Sequence, residues 1–594
     1  MIPFIEKDDM LNLNNKRIWV IFGSLLLSLL LAQCGQAPVR SPKPAPDWSR
    51  GNLVGVKAIG SPSVVASPDD ETFEMVWPID AGEGQQSLHY ARLNQVGVLI
   101  DEHDLNVSSL QMRIPRLLPA AQGKLHLFWE SREISGGKWS LWYALLDGET
   151  ESLSAPTLIS APDVDIKGYH LAGDGDGGAF VVWETIEGLS GTHLDPTGSL
   201  DVEPVQITTS GESPFIHVED GDIFLAWWSE QGVRFQRFDE KLENAKGIVV
   251  AKPRLSGSDD LSGPVLGIAD GWAYLAWSIR RQTGLEAGRT ALTEFVAFKP
   301  DQTDQVEPRT IYILPTVLEP YKSYQGPYTL DQLVPPPVSA PSSSEYIYNP
   351  VPVVNSRGQF AFAVAVRQTH QNKLASQIVL VLFSEGKYIG YSQAVKTQTL
   401  SASPAPMADD AGSLHLVWRE GYAGSDIYYT TTDPLARENL DQLQGVDFVQ
   451  AIMSGLVEGL ASLLLVPLLG FIWIIPGFVL LTIFRMSRDM EVLDTWLSWL
   501  ALAIGLISYQ TIKWFFFLPL QTYVPFSAWI DVPPGWRTLL RWLVPSLIFV
   551  LAIIAAEWRR RSRSCSALVY YIYVTAIDVS LSMVVYGVNL LGLG

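Results

Sequence analysis

Eight charged residues stand at comparable points of a repeating pattern in this 594-residue chain: Arg113, Glu130, Arg132, Glu184, Arg280, Arg367, Arg419 and Glu420. Arginine forks bind carboxylates through paired hydrogen bonds, and glutamates accept from hydroxyls. Gathered on one surface, such a set would hold an acidic glycan or peptide; dispersed, it would be no more than the solvated charge that usually ends strands. No nucleophile pair, zinc-ligand spacing, phosphate loop or nucleophile elbow is evident, so no catalytic residue, metal or cofactor is expected. The loop Gly173 to Gly178 (GDGDGG) offers carboxylates that Ca²⁺ would accept, but its place at a hairpin reads as a turn. Two further candidates lie elsewhere: Cys34, and Asp578 inside an apolar run.

A repeat must position the eight. Gly412 to Glu420 (GSLHLVWRE) alternates apolar positions up to a Trp, the period of a half-buried strand. Matching stretches end at Trp77, Trp129, Trp183, Trp227 and Trp277, with Ala365 in the equivalent place, which gives seven copies. Upstream of each stands a Pro followed by apolar residues, at Pro62, Pro115, Pro214, Pro264, Pro352 and Pro406, with Tyr169 in that register. Turn pairs such as Asp220-Gly221 lie between the two elements, and a third and a fourth strand follow each Trp. Four antiparallel strands at a period of about 45 to 54 residues predict a mainly β fold, a seven-bladed β-propeller over 52–433. The seventh copy lacks a fourth strand, whereas Leu53 to Ala58 stands before Pro62 where a fourth strand would; the N-terminal strand is expected to complete the last blade and remove its open edges. Pro300 to Pro350 interrupts the period as a Pro, Ser and Tyr-rich insertion, whose Tyr321, Tyr324, Tyr328, Tyr346 and Tyr348 could form a recognition surface but which is expected to be a mobile flap packed loosely on the ring.

Arg113-Ile114-Pro115, followed by LL and GKLHLFWESRE, resembles the Arg-Ile-Pro element and following strand of the sialidase family, and the strand pattern is similar to sialidase-like and BNR-type propellers. That resemblance implies a ring whose mouth binds glycan, with Arg113 a carboxylate-binding arginine. The chain has no Ser-x-Asp-x-Gly-x-x-Trp box, no matching acid/base Asp and no assignable Tyr and Glu pair, so binding is expected rather than hydrolysis. A sialidase-like glycoside hydrolase is the alternative, and an accessory subunit of a membrane transporter another.

The ends give the compartment. Lys16 and Arg17 precede IWVIFGSLLLSLLLA, and Leu31-Ala32-Gln33-Cys34 resembles a bacterial lipoprotein lipobox, so 1–34 is a signal segment, with Cys34 lipidated or the segment kept as an anchor. Residues 35–51 read as an extended Pro-rich linker outside any core. The net charge is −20; residues 34–447 alone carry about −22 and the rest is slightly positive, which argues against nucleic acid or an anionic membrane surface as partner of the outer domain. With two cysteines in the chain no disulfide framework arises. After a linker at 434–456, four apolar runs in 457–594 (about 457–484, 492–512, 538–556 and 567–591) are each long enough to span a bilayer, as an all-α four-helix transmembrane domain. Asp578, about 16 Å into the last, is expected to be a hydrogen-bonded structural acid or a proton or partner site, because Lys513 and Arg541 lie nearer the outer interface and should snorkel away.

The reading is a multi-pass plasma-membrane protein whose propeller and C-terminus lie outside and whose mouth binds a protein or glycan. Arg485 and Arg488 after the first run, and Arg559, Arg560, Arg561 and Arg563 after the third, set that orientation by the positive-inside rule. A reporter inserted at Ser562 is therefore expected to be active on the cytoplasmic side and one fused after Gly594 on the outer side; the reversed pattern would sink the orientation.

Overall fold

The computed structural model describes residues 45–587 apart from internal stretches, chiefly 283–288, 339–345, 450–461 and 525–531; the signal segment and Cys34 lie outside the described residues. They form two compact units, one of strands (45–370 with 374–442) and one of helices that includes 462–587.

The strand unit repeats one plan. Gln111–Pro119, Lys124–Arg132, Ser140–Asp147 and Thr157–Leu158 pair in sequence order as a four-stranded antiparallel sheet, and the plan recurs in sheets beginning at Gly168–Gly173, Glu212–Glu219, Asp259–Ala269 and Ile347–Val354. Two more sets of four are joined by a single pair, Ala58 with Ile79. In one of them Ser63–Ala66, Phe73–Gly82, Gln85–Leu93 and Leu99–Ser109 follow the same order. The other is built from both ends of the unit: Ser401–Ala408, Leu414–Glu420 and Ser425–Thr431, with the N-terminal strand Asn52–Ala58 paired to the last of these at Asn52↔Tyr429. The first strands of successive sheets lie side by side, and Ser401–Ala408 also lies beside Ser63–Ala66.

The repeated Trp explains this arrangement. Each of Trp77, Trp129, Trp183, Trp227, Trp277 and Trp418 is at most 3% exposed and packs into an apolar cluster shared with the preceding sheet. Trp129, for example, meets Val76, Leu88 and Tyr90, and Trp77 meets Val417, Ile427 and Tyr429. Burying an indole is worth about 4 kcal/mol at the usual area coefficient, so these contacts outweigh any single strand pair. Clearance is tight: a Cβ on Gly55 would stand 2.2 Å from Trp77 Cζ2, and one on Gly247 2.3 Å from Trp227 Cη2.

Two expectations are corrected. Residues 45–50 are not extended linker: Trp48 is fully buried, its Nε1 donates to Ser392 Oγ at 2.9 Å, and Ser49 N donates to Thr431 O at 2.8 Å. Pro punctuation hid an indole with a partner 344 residues away. The insertion, likewise, is no loose flap in its described part. Lys322–Ser323 pairs with Gln332–Leu333, Tyr324, Tyr328, Leu330 and Leu333 bury themselves with Trp48, Leu380 and Trp418, and Thr329 N donates to Gly412 O.

Five helices are described. α1 (Pro434–Leu440) opens the stretch expected to be a linker; Asp433 caps it, its Oδ1 accepting from Ala436 N at 2.7 Å, with Pro434 in the first turn where its missing N–H costs nothing. α2 (Val466–Arg488), α3 (Trp496–Phe516), α4 (Pro534–Ser562) and α5 (Ala567–Tyr586) are long and apolar enough to cross a membrane. Their outer faces expose Leu468, Phe471, Ile504, Ile507, Trp542 and Ile554, while Trp473, Tyr509, Tyr571, Val574 and Met583 pack inward.

If the insertion belongs to the core, Tyr328→Ala should lower unfolding stability by about 3 kcal/mol and the exposed Tyr321→Ala by under about 0.5 kcal/mol. Indistinguishable denaturation midpoints for the two variants would restore the loose flap.

Candidate functional face

The start of each first strand and the end of each second strand meet at one edge of a sheet. Register pairs Arg113 with Glu130, Gly168 with Glu184, Asp260 with Arg280, Ala402 with Arg419 and Ser401 with Glu420. Five first strands carry a bulge just inside that edge, at a residue with positive φ followed by proline: Ile114-Pro115, Ser213-Pro214, Gly263-Pro264, Asn349-Pro350 and Ser403-Pro404. Proline donates no ladder hydrogen bond and suits the interruption, and a bulge re-aims the side chains beside it. In the last two sheets the bulge proline is thus Pro350 and Pro404, where Pro352 and Pro406 were expected. Those lie two residues on, which the two-residue strand period cannot distinguish.

The structure brings Arg113, Glu130 and Arg132 together. Arg113 Nε donates to Glu130 Oε2, its Nη2 donates to Lys167 O at 3.2 Å, and the guanidinium carbons of Arg113 and Arg132 sit 4.0 and 4.8 Å from the Trp139 ring centre. Glu130 is fully buried and its Oε1 has no hydrogen-bond partner. Burial pushes its carboxyl up to about 7 against the opposing pull of Arg113. Beside this cluster a groove of about 270 Å³ is lined by Asp80, Gln85, Gln86, Gln111 and Ser135.

A second group spans two neighbouring sheets. Arg280 lies 4.1 Å over Tyr348 and 3.6 Å from Asp260 Oδ2, Arg367 lies 5.0 Å over Tyr346, and the two tyrosine rings are 5.9 Å apart. Guanidinium stacked on a ring is held in place and still presents its N–H fork.

The other three candidates are engaged locally. Glu184 accepts from Ser213 N at 2.7 Å and lies 3.2 Å from Lys167 Nζ; Arg419 donates to Ile59 O at 3.3 Å; Glu420 accepts from Trp418 Nε1 at 2.7 Å and Ser401 Oγ at 3.0 Å. Glu184 and Arg419 thereby tie one sheet to the next. Trp139 was missed as a site residue, and carried no signal because it precedes a third strand; Tyr346 and Tyr348 were legible only among the insertion tyrosines that could form a recognition surface, without their arginine partners.

Other polar groupings are accounted for. Asp174 closes its glycine-rich turn, Oδ1 accepting from Asp176 N and Gly178 N at 2.8 Å and Oδ2 meeting His193 Nε2 at 2.9 Å. Asp101, His103 and Glu151 bring donor atoms within 4.8 Å of one another, as a cation site would, but Arg92 Nη1 stands 3.7 Å from Glu151 and supplies positive charge of its own.

Asp578 has beside it the lysine that was expected to snorkel away. Lys513 Nζ donates to its Oδ2 at 2.6 Å and to Ser582 Oγ at 2.7 Å, and Tyr509 OH donates to the same carboxylate at 2.5 Å. Helical side chains lean toward the helix N-terminus, so Lys513, near the end of α3, is aimed back into the bundle and does not snorkel outward.

No protein-family model and no curated protein matches the chain. Remote likenesses to solved structures exist. The polysaccharide lyase Uly1 is 9% identical with a TM-score of 0.40, covering 63% of this chain and 90% of its own. An α-L-arabinanase of Penicillium chrysogenum complexed with arabinobiose is 12% identical at 0.33, covering 69% and 98%. A glucose dehydrogenase is 10% identical at 0.33, covering 64% and 98%. The reading of the face rests on the chain's own geometry.

Glu130 makes stability depend on pH. Its folded value of about 7 lies above the ordinary 4.5, so the native state holds a proton that the unfolded chain gives up between them. The contribution is complete below about pH 4.5 and is lost as pH climbs through 7, on the order of 3 kcal/mol in all. Glu130→Gln should flatten the denaturation midpoint between pH 5 and 8, and Arg113→Ala should destabilise more at pH 8 than at pH 5. A midpoint whose pH dependence is unchanged in Glu130→Gln would refute the assignment.

Proposed function

We propose that the chain is a membrane-anchored binding protein: a seven-bladed β-propeller outside the cell that holds an acidic glycan on the face bearing Arg113, Arg132, Arg280 and Arg367. The observation that carries this reading is that those four arginines, on three sheets of a strongly acidic chain, are each backed by an aromatic ring at the same sheet edge. Arginines kept in place within an otherwise repulsive field are suited to picking out an anion. A closed ring is supported by the pairing of Asn52–Ala58 with Ser425–Thr431 and by the succession of first strands. The domain plan follows: a signal segment to Cys34, the propeller, and an anchor of four spans with the C-terminus outside. A sialidase-like hydrolase is the second reading, favoured by Glu130, a carboxyl that keeps its proton near neutral pH beside Arg113.

The full chain in lipid nanodiscs should bind uronate-bearing or sialylated glycans better than neutral ones, and more weakly at 300 than at 50 mM salt, these being about a 2.4-fold change in screening length. Arg280→Ala with Arg367→Ala should cost about tenfold in affinity or more. Equal binding of neutral glycans, insensitive to salt, would defeat the acidic-glycan reading; release of monosaccharide abolished by Glu130→Gln in a folded protein would favour the enzyme. Deleting 52–58 should lower the melting temperature far more than a one-strand edge loss in an open sheet, because it opens two edges of a ring.

A further inference from the structure

The helical unit contains a two-by-two polar patch on two mainly apolar buried faces. Tyr509 and Lys513 are one turn apart on α3, Asp578 and Ser582 one turn apart on α5, and all four side chains are fully buried. Three hydrogen bonds, each with the Lys513 ammonium or the Asp578 carboxylate as donor or acceptor, link the helices, the Lys513–Asp578 one at 2.6 Å. Arg541 of α4, the other cation expected to snorkel away from Asp578, has a buried Nε without a hydrogen-bond partner among the described residues. The α2–α3 contact is of another kind: a Cβ on Gly477 would meet Gly505 O at 2.6 Å, so those two helices touch through missing side chains.

We propose that the Lys513–Asp578 pair is a latch by which the last helix secures α3 in the apolar layer, so that α3 becomes a stable span only once α5 is beside it. The proposal rests on reading the four helices as membrane spans. Taken alone, α3 carries a buried ammonium and is the least apolar of the four, and α5 carries a carboxylate; each is costly in hydrocarbon, and together they are neutral and hydrogen-bonded. The order of the chain gives the latch its consequence. Lys513 is made 65 residues before its counter-charge, so the α2–α3 hairpin waits for the final helix before it is electrically complete. The latch is therefore a late check on assembly, which apolar packing alone would not supply.

Full-length protein purified in detergent tests this. Lys513→Met and Asp578→Leu singly should each lower the melting temperature by about 10 °C, since each strands a buried partner, whereas the double variant should return to within about 3 °C of the original. Singles that melt with the wild type, or a double variant that melts no higher than the weaker single, would overturn the latch. A second arm separates charge from general packing. A chain ending at Ser564, lacking α5, should be degraded in cells, and Lys513→Met in that truncated chain should restore its accumulation in the membrane; no restoration would mean that α5 acts through apolar contact and not through Asp578. Release of the full chain from membranes by alkaline carbonate would instead fault the reading of the helices as spans.

Discussion

The structure depends above all on a buried indole, present in every four-stranded set but one, pressed against the sheet before it. A sheet with two apolar faces must cover both, and the Trp at the end of each second strand covers the seam to one neighbour. Glycine at positions such as Gly55 and Gly247 is needed because the ring occupies the space in which a Cβ would stand. Where Ala365 replaces Trp, the seam is filled differently: Tyr274, Phe360, Phe362 and Phe383 form an aromatic cluster between neighbouring sheets. Repetition of that seam fixes the strand ends, and with them the edge on which Arg113, Arg280 and Arg367 stand.

At that edge local chemistry decides what each charge can do. A bulge with positive φ, stopped by proline, interrupts the ladder beside the edge, which frees side chains from regular alternation. Arginines beside a ring are stacked and half-exposed; glutamates within reach of a backbone amide or an indole N–H become structural. The eight candidates thus divide into two arginine–aromatic groups and a set of ties within and between sheets. Glu130 belongs to both classes, tied to Arg113 yet with one oxygen left over.

The helical unit follows different physics. In apolar surroundings packing distinguishes helices poorly, and a buried charge pair or a glycine contact specifies a neighbour more sharply than leucine does. Lys513 reaches Asp578 because a lysine near the C-terminal end of a helix leans toward the helix centre.

By itself the sequence determined everything with a short period or a long run. Strand alternation, the Trp repeat with its upstream proline, the fourth strand supplied by Leu53 to Ala58 and the four apolar helices were legible because each is written in neighbouring residues. The candidate charges were legible as positions at strand ends but not as roles, since a role depends on what lies across a seam. Only the tertiary structure decided that Trp48 is core and that Tyr328 is buried, because their partners lie in segments far away along the chain. It alone separated stacked arginines from tied ones and gave Asp578 its lysine, because side-chain direction and inter-element distance have no signature in composition or spacing.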